Sequence, residues 1–160
     1  MIAVRKSIFF IVLLTFASTL LSAADAFVGT WRLNATKSKY SGGPREIKDA
    51  TLVIEEQGDN YQVTVSGTYA DGSRLSVKYT VPTRGGTGQV QEGDNGMFDA
   101  VASKRISSTE RETTYMKDGK YAGTRRSVVS RRTRMTNTFK STNAEGIPVT
   151  SVQVFEKQPY

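Results

Sequence analysis

An alternation of apolar and polar residues with a period of two, broken at short intervals by glycine-containing turns, most constrains what this chain can become. Tyr61, Val63, Val65, Gly67 and Tyr69 alternate with Gln62, Thr64, Ser66 and Thr68, and Leu75, Val77, Tyr79 and Val81 alternate with Ser76, Lys78 and Thr80. Successive side chains of a β-strand point to opposite faces, so these runs read as strands with one face buried. Between and around them fall Gly58-Asp59-Asn60, Asp71-Gly72, Arg84-Gly85-Gly86-Thr87-Gly88, Gly93-Asp94-Asn95-Gly96, Asp118-Gly119 and Asn143-Ala144-Glu145-Gly146. Several suit hairpins, because Gly and Asn tolerate positive φ.

The spacing describes an antiparallel meander, with strands expected near residues 28–34, 49–57, 60–70, 74–82, 97–105, 109–117, 120–130, 133–142 and 148–157. No stretch after residue 26 carries a helical stripe. An up-and-down meander of about nine strands either exposes two long edges or curls until they meet, and closure removes the edges. The expected fold is therefore all-β, a barrel or a strongly curled half-barrel.

The first 26 residues follow another rule. Arg5 and Lys6 precede an apolar run from Ile8 to Leu21, and Ala24 and Ala26 offer small residues in an A-x-A arrangement. This is the pattern of a secretory signal peptide cleaved near Ala26, and the apolar run falls short of the roughly 20 residues that span a bilayer. Removal of 26 of the 160 residues leaves 134, Phe27 to Tyr160, enough for one domain with its own core. Export to the periplasm or beyond is expected, with no transmembrane segment in the mature chain.

Cys and His are both absent. Their absence excludes disulfides, a thiol nucleophile, a serine triad built on histidine and the commonest zinc ligand. Glu55-Glu56 are strand neighbours that face opposite ways. Glu110 and Glu112 share a face but read as solvated charges, and Glu92, Asp94, Asn95 and Asp99 match no calcium-loop spacing. No catalytic constellation, metal site or cofactor is expected, and an enzyme is the minority reading.

Phe27-Val28-Gly29-Thr30-Trp31-Arg32-Leu33 resembles the first strand of the calycins, the superfamily of lipocalins and fatty-acid-binding proteins, in which Gly-x-Trp opens the barrel. That resemblance implies that Gly29 allows close backbone packing and that Trp31 plugs one end of a cavity. Val152-Gln153-Val154-Phe155-Glu156-Lys157 resembles the closing strand of fatty-acid-binding proteins, but Gln153 and Phe155 replace the Arg-x-Tyr pair that holds a carboxylate there. The helical lid is missing too, because Ser41-Gly42-Gly43-Pro44 breaks any helix between Asn34 and Lys48. The chain is also similar along its mature length to a lipocalin-like group of exported bacterial proteins sharing GTWxLNxxKSxY near the start and V(Q)V(F/Y)EKQ at the end, matched by Gly29 to Tyr40 and Val152 to Gln158. This similarity implies fold and export, and carries no chemistry.

Two functional readings remain. Trp31, Tyr61, Tyr69, Tyr79, Met116, Met135 and Phe139 are candidates to line a cavity for a small apolar or amphipathic ligand, although a small barrel can also be filled by its own side chains. The second reading rests on charge. Residues 104–140 hold eleven basic and three acidic residues, whereas 27–103 hold eight and nine. Arg125, Arg126, Arg131, Arg132 and Arg134 fall within ten residues and are candidates to hold an anionic lipid or polysaccharide of the envelope. Solvated strand faces and a charged turn are the plainer account of them. Nucleic acid is not expected, since nothing resembles stacking aromatics in a basic groove.

Overall fold

A computed structural model describes residues 25–41, 45–94, 96–143 and 145–159. The expected signal segment up to residue 24 lies outside them, as does Asn95. The described residues form twelve strands: β1 (Gly29–Leu33), β2 (Lys39–Ser41), β3 (Ile47–Gln57), β4 (Asn60–Tyr69), β5 (Arg74–Pro82), β6 (Gly85–Thr87), β7 (Gln89–Gly93), β8 (Ala100–Arg105), β9 (Glu110–Lys117), β10 (Lys120–Ser130), β11 (Arg134–Thr142) and β12 (Pro148–Lys157). A 3-10 turn, Ala35–Lys37, separates β1 from β2. Among the described residues, no helix is long and apolar enough to cross a membrane.

The strands pair in the order β6-β8-β9-β10-β11-β12-β1-β3-β4-β5-β7, with β2 added against β12. The pairing is antiparallel throughout, and the first strand joins the last through Trp31 opposite Lys157 and Leu33 opposite Phe155. At the seam, one extended segment serves both margins: β6 pairs with β8 and β7 pairs with β5. The result is a nearly closed up-and-down barrel.

The segment changes partners at Gly88, whose N–H donates to the Val101 carbonyl at 2.8 Å. A Cβ there would stand 2.0 Å from the Thr80 carbonyl oxygen and 2.6 Å from Val81 Cγ1. No side chain fits between the two margins. The nine expected strands are all found within a few residues, and the three added ones are short. β6 falls in the Arg84 to Gly88 stretch, which reads as a turn because its glycines leave no alternation to detect.

Side chains of alternate phase fill the interior. Trp31, Leu52, Tyr61, Tyr79, Val101 and Met135 are essentially excluded from solvent, and burying each large apolar side chain contributes about 1.5–3 kcal/mol. The Trp31 indole N–H donates to the Phe27 carbonyl at 2.9 Å, with Lys157 Nζ 5.1 Å from the ring centroid. Gly29 has φ +135°, a conformation that side-chain-bearing residues rarely adopt, so Gly-x-Trp here is a backbone requirement beside a buried indole.

The segments around the first and the last strand meet in space. Asn34 caps the 3-10 turn and donates from Nδ2 to Glu156 Oε1 at 3.0 Å, where Lys37 Nζ also arrives at 2.9 Å. Ser38 Oγ accepts from the Val154 N–H at 3.0 Å, and the Gln158 N–H donates to the Thr30 carbonyl at 2.9 Å. Asp25 and Ala26, assigned from sequence to the removed segment, are packed into the fold: Ala26 is buried, and the Asp25 carboxylate accepts from the Tyr61 hydroxyl and from the Phe27 N–H at 2.9 Å.

Candidate functional site

The described residues enclose a larger and a smaller cavity in the interior. The larger, about 130 Å³, lies toward the end where β3, β5 and β10 begin. β3, β4 and β5 give it an apolar wall of Leu52, Val65, Leu75 and Val77, and Phe139 and Phe155 come from β11 and β12. Phe98 and Tyr115 add an aromatic corner, their ring centroids 4.7 Å apart. Arg45, Tyr69, Asp94 and Met97 bound its outer end. The smaller cavity, about 20 Å³ and room for little more than a water molecule, is lined by Tyr61, Tyr79, Arg111 and Met135 among others.

Leu52 and Arg125 line both cavities and so mark the division between them. Strand phase places the Arg125 side chain inside: β10 turns Ser127 and Val129 inward, two and four residues on, and leaves Arg126 and Val128 exposed. Arg125 Nη2 donates to the Tyr79 hydroxyl at 2.6 Å, and the guanidinium carbon stands 5.6 Å from the Tyr115 ring centroid. The Tyr79 and Tyr115 hydroxyls are 3.3 Å apart. Burial opposes the Arg125 charge, but the neighbouring Tyr115 and Tyr79 hydroxyls hold its pKa above the ordinary value. Burial likewise pushes the Tyr115 pKa well up, which keeps that hydroxyl neutral.

Arg125 takes part in none of the ion pairs found among the described residues, and its Nε–H is buried without a hydrogen-bond partner. Asn137, also lining the larger cavity and 1% exposed, has a buried Oδ1 without a partner. Buried polar atoms are normally satisfied, so two such orphans on one wall need a reason.

Arg111, the other interior arginine, is used structurally. It donates to Ser103 Oγ at 2.7 Å, to the Pro82 carbonyl at 3.2 Å and to the Thr83 carbonyl, and it lies 4.8 Å from the Tyr61 ring centroid. Burial lowers its pKa. Burial and the hydrogen bond to Asp25 push the Tyr61 hydroxyl up to about 12.

At the outer end of the larger cavity the Tyr69 hydroxyl donates to Asp94 Oδ2, and the Arg45 guanidinium covers the Tyr69 ring at 4.2 Å. Arg45 also pairs with Asp71 at 2.7 Å. Hydrogen bonds from Ser73 and Arg45 hold the Asp71 carboxyl down to about 2. Burial raises the pKa of Asp94, whose φ of +45° turns it inward from the loop after β7.

Of the residues expected to line a ligand cavity, Tyr69 and Phe139 line the larger one, while Tyr61, Tyr79 and Met135 line the smaller. Trp31 lines neither, and Met116 lies in the phase opposite to the inward Tyr115. Of the five expected anion-binding arginines only Arg125 is turned away from the outer surface, and Arg131 and Arg134 line a small surface pocket with Ser130 and Thr133. Arg125 is interior; Arg126 is exposed and paired with Glu110 at 2.6 Å. Arg131 and Arg132 form the β10–β11 turn at φ +50° and +57°, and Arg134 begins β11 opposite Glu156.

Of the acidic residues considered for calcium, Asp94 faces Tyr69 while Asp99 accepts from the Asp118 N–H at 3.0 Å and from Lys117 at 3.3 Å. Among the described residues no group of three or more acidic side chains is placed to hold a metal ion. Sequence reasoning missed Arg45, Phe98 and Asn137 as cavity residues. Asn137 carried a signal, since it stands in phase between the inward Met135 and Phe139. No protein-family model matches this chain, and no curated protein matches it.

Proposed function

We propose that this chain is an exported barrel whose interior holds one small amphipathic molecule. The observation that carries the reading is the larger cavity, whose volume is close to the roughly 150 Å³ that takes up a benzene ring. Its composition fits: mostly apolar walls with a few polar atoms at fixed places is how small-molecule sites combine affinity with orientation. A single ring or a short acyl chain suits the space better than a sterol.

The alternative reading, an anionic envelope component held on an arginine face, finds less support. Arg126 is already neutralised by Glu110, and the interior position of Arg125 removes it from any outer patch.

Calorimetric titration of residues 25–160 with indole, 1-hexanol and benzyl alcohol tests the cavity reading. Saturable one-to-one binding is expected, and it should be lost in Ala122→Phe, which places a ring in the cavity that Ala122 lines. Binding unaffected by that substitution, or no binding by any small molecule tried, ends the reading.

A further inference from the structure

We propose that the interior site is built for a small monocarboxylate, with Arg125 as its headgroup residue. This rests on the cavity reading above and names the class of molecule that would fill it.

The argument begins with an unbalanced charge. A guanidinium does not deprotonate in a protein, so Arg125 remains a cation inside the barrel. Its side-chain hydrogen bond goes to the Tyr79 hydroxyl rather than to a carboxylate, and its Nε–H has no acceptor. Arg125 is half-buried with its Nε shut off from solvent, and a cation so enclosed without a counter-charge is costly. Among the described residues no carboxylate pairs with Arg125: Asp94, the acid of the same cavity, accepts from Tyr69 through Oδ2, and its Oδ1 has no partner.

Register places the orphaned atoms together. Arg125 stands opposite Phe139 on β11, and Phe139 stands opposite Ser151 on β12, so the three form one cross-strand row. Ser151 is fully buried and its Oγ has no partner. Asn137 lies in the same inward phase one step along β11, facing Gln153. Ser151 lines neither cavity, so the unpartnered polar atoms on this side of the larger one are those of Arg125 and Asn137 on β10 and β11, opposed by the apolar residues of β3 to β5. An anion with an apolar body matches both walls at once.

The charge and the volume narrow the class. One guanidinium without an ion pair lines the larger cavity and balances one negative charge, because Arg45 is paired with Asp71 and Arg111 lines only the smaller cavity. A monocarboxylate is therefore favoured over a phosphate dianion, and its planar oxygens suit the Arg fork. The Asn137 amide can turn its NH2 toward a carboxylate oxygen by a half-rotation. The apolar part that remains is the size of a phenyl ring or a short acyl chain.

The experiment compares benzoate and hexanoate with the uncharged benzyl alcohol and 1-hexanol by calorimetry on residues 25–160 at neutral pH. In the wild type the carboxylates should bind at least tenfold more tightly than the alcohols. Arg125→Gln should abolish that preference while Arg126→Gln, on the outer face, preserves it. Should Arg125→Gln fail to fold, the wild type alone still decides, because benzoate must shift an arginine Nε–Hε resonance in a proton–nitrogen correlation spectrum. Equal binding of acids and alcohols, a preference that survives Arg125→Gln, or arginine Nε signals unmoved by bound benzoate each overturn the headgroup assignment and leave the cavity reading standing. Failure of all four molecules to bind overturns both.

Discussion

Asn34 Nδ2 donates to Glu156 Oε1 at 3.0 Å, joining residues 122 positions apart. With Lys37 on the same oxygen, the bond ties the segment after the first strand to the last strand, where the sheet depends on a short ladder between β1 and β12. Asn34, Lys37 and Glu156 thereby form a clasp between β12 and the segment that follows β1. Asn34→Ala removes both the cap and the cross-link, and should cost about 0.5–2 kcal/mol in urea unfolding. Lys37 and Asn34 hold the Glu156 carboxyl below its ordinary pKa. The clasp's contribution is therefore present above the ordinary carboxylate pKa and is lost as pH falls through the depressed value.

Gly88 and Gly58 separate space from conformation. Gly58 has φ +61° with nothing within 4 Å of a built Cβ, so Gly58→Ala should cost only the left-handed penalty, about 1–2 kcal/mol. Gly88→Ala drives a methyl group into the Thr80 carbonyl at the seam. It should cost about 3 kcal/mol or more, as overpacking against backbone that cannot yield. Denaturant midpoints in the reverse order would refute the crowded seam.

Trp31 is a structural residue. Trp31→Ala should destabilise by about 3–5 kcal/mol, a large part of the 5–15 kcal/mol typical of a domain. Trp31→Phe restores much of the volume but leaves the Phe27 carbonyl without the indole N–H, and should fall between wild type and alanine. Because the indole lines neither cavity, a folded Trp31→Phe should bind the same small molecules with unchanged affinity. Loss of binding in that variant would put the indole in the site.

Asp94 gives a pH dependence of defined sign. Burial raises its folded pKa, so between the ordinary aspartate value of about 3.9 and that raised value the folded state binds more protons than the unfolded state. Its contribution favours folding at low pH and is lost as pH rises through the raised pKa. Asp94→Asn abolishes this slope, so the stability of the variant relative to wild type should increase from pH 4 to pH 7. Asp71, held down to about 2, acts in the opposite direction at lower pH. The difference between the two proteins isolates Asp94. A difference that is flat, or that falls with pH, contradicts a buried carboxyl.

The packing of Asp25 bears on processing. If the chain is exported and cleaved as proposed, cutting after Ala24 retains the Asp25 contacts with Tyr61 and Arg105, whereas cutting after Ala26 destroys them. Intact mass of the secreted protein should therefore give Asp25 as the first residue, and a version starting at Phe27 should unfold at lower temperature. Phe27 as the natural first residue would show those contacts to be dispensable.

How far the sequence anticipates this structure varies with the signal each residue carries. The long strands are legible because half-burial forces alternation, as in Tyr61 to Tyr69 and Leu75 to Val81. β6 is not, because Gly85 and Gly86 have no side chains to alternate, and closure depends on those glycines. Arg125 and Arg126 look equivalent in sequence and lie on opposite faces of the sheet. Phase alone distinguishes them, and a one-residue bulge at Ala122, between Tyr121 and Gly123, obscures it. Asn137 was equally readable as an inward residue, but its meaning emerges only when its unpartnered oxygen is found beside the same cavity as Arg125.

Because β1 and β12 are neighbours, the barrel is a ring of strands whose starting point is arbitrary. A circularly permuted chain, joined by a short flexible linker from Pro159 to Asp25 and reopened at the Asp118-Gly119 turn, would keep every strand pairing and lose one hairpin connection. In the natural order, the β1–β12 pairing closes nearly the whole chain into a loop, the slowest kind of contact to form. In the permuted order that pairing becomes local and the β9–β10 hairpin becomes the distant one. The architecture and the order in which it assembles are thus separable properties of this chain.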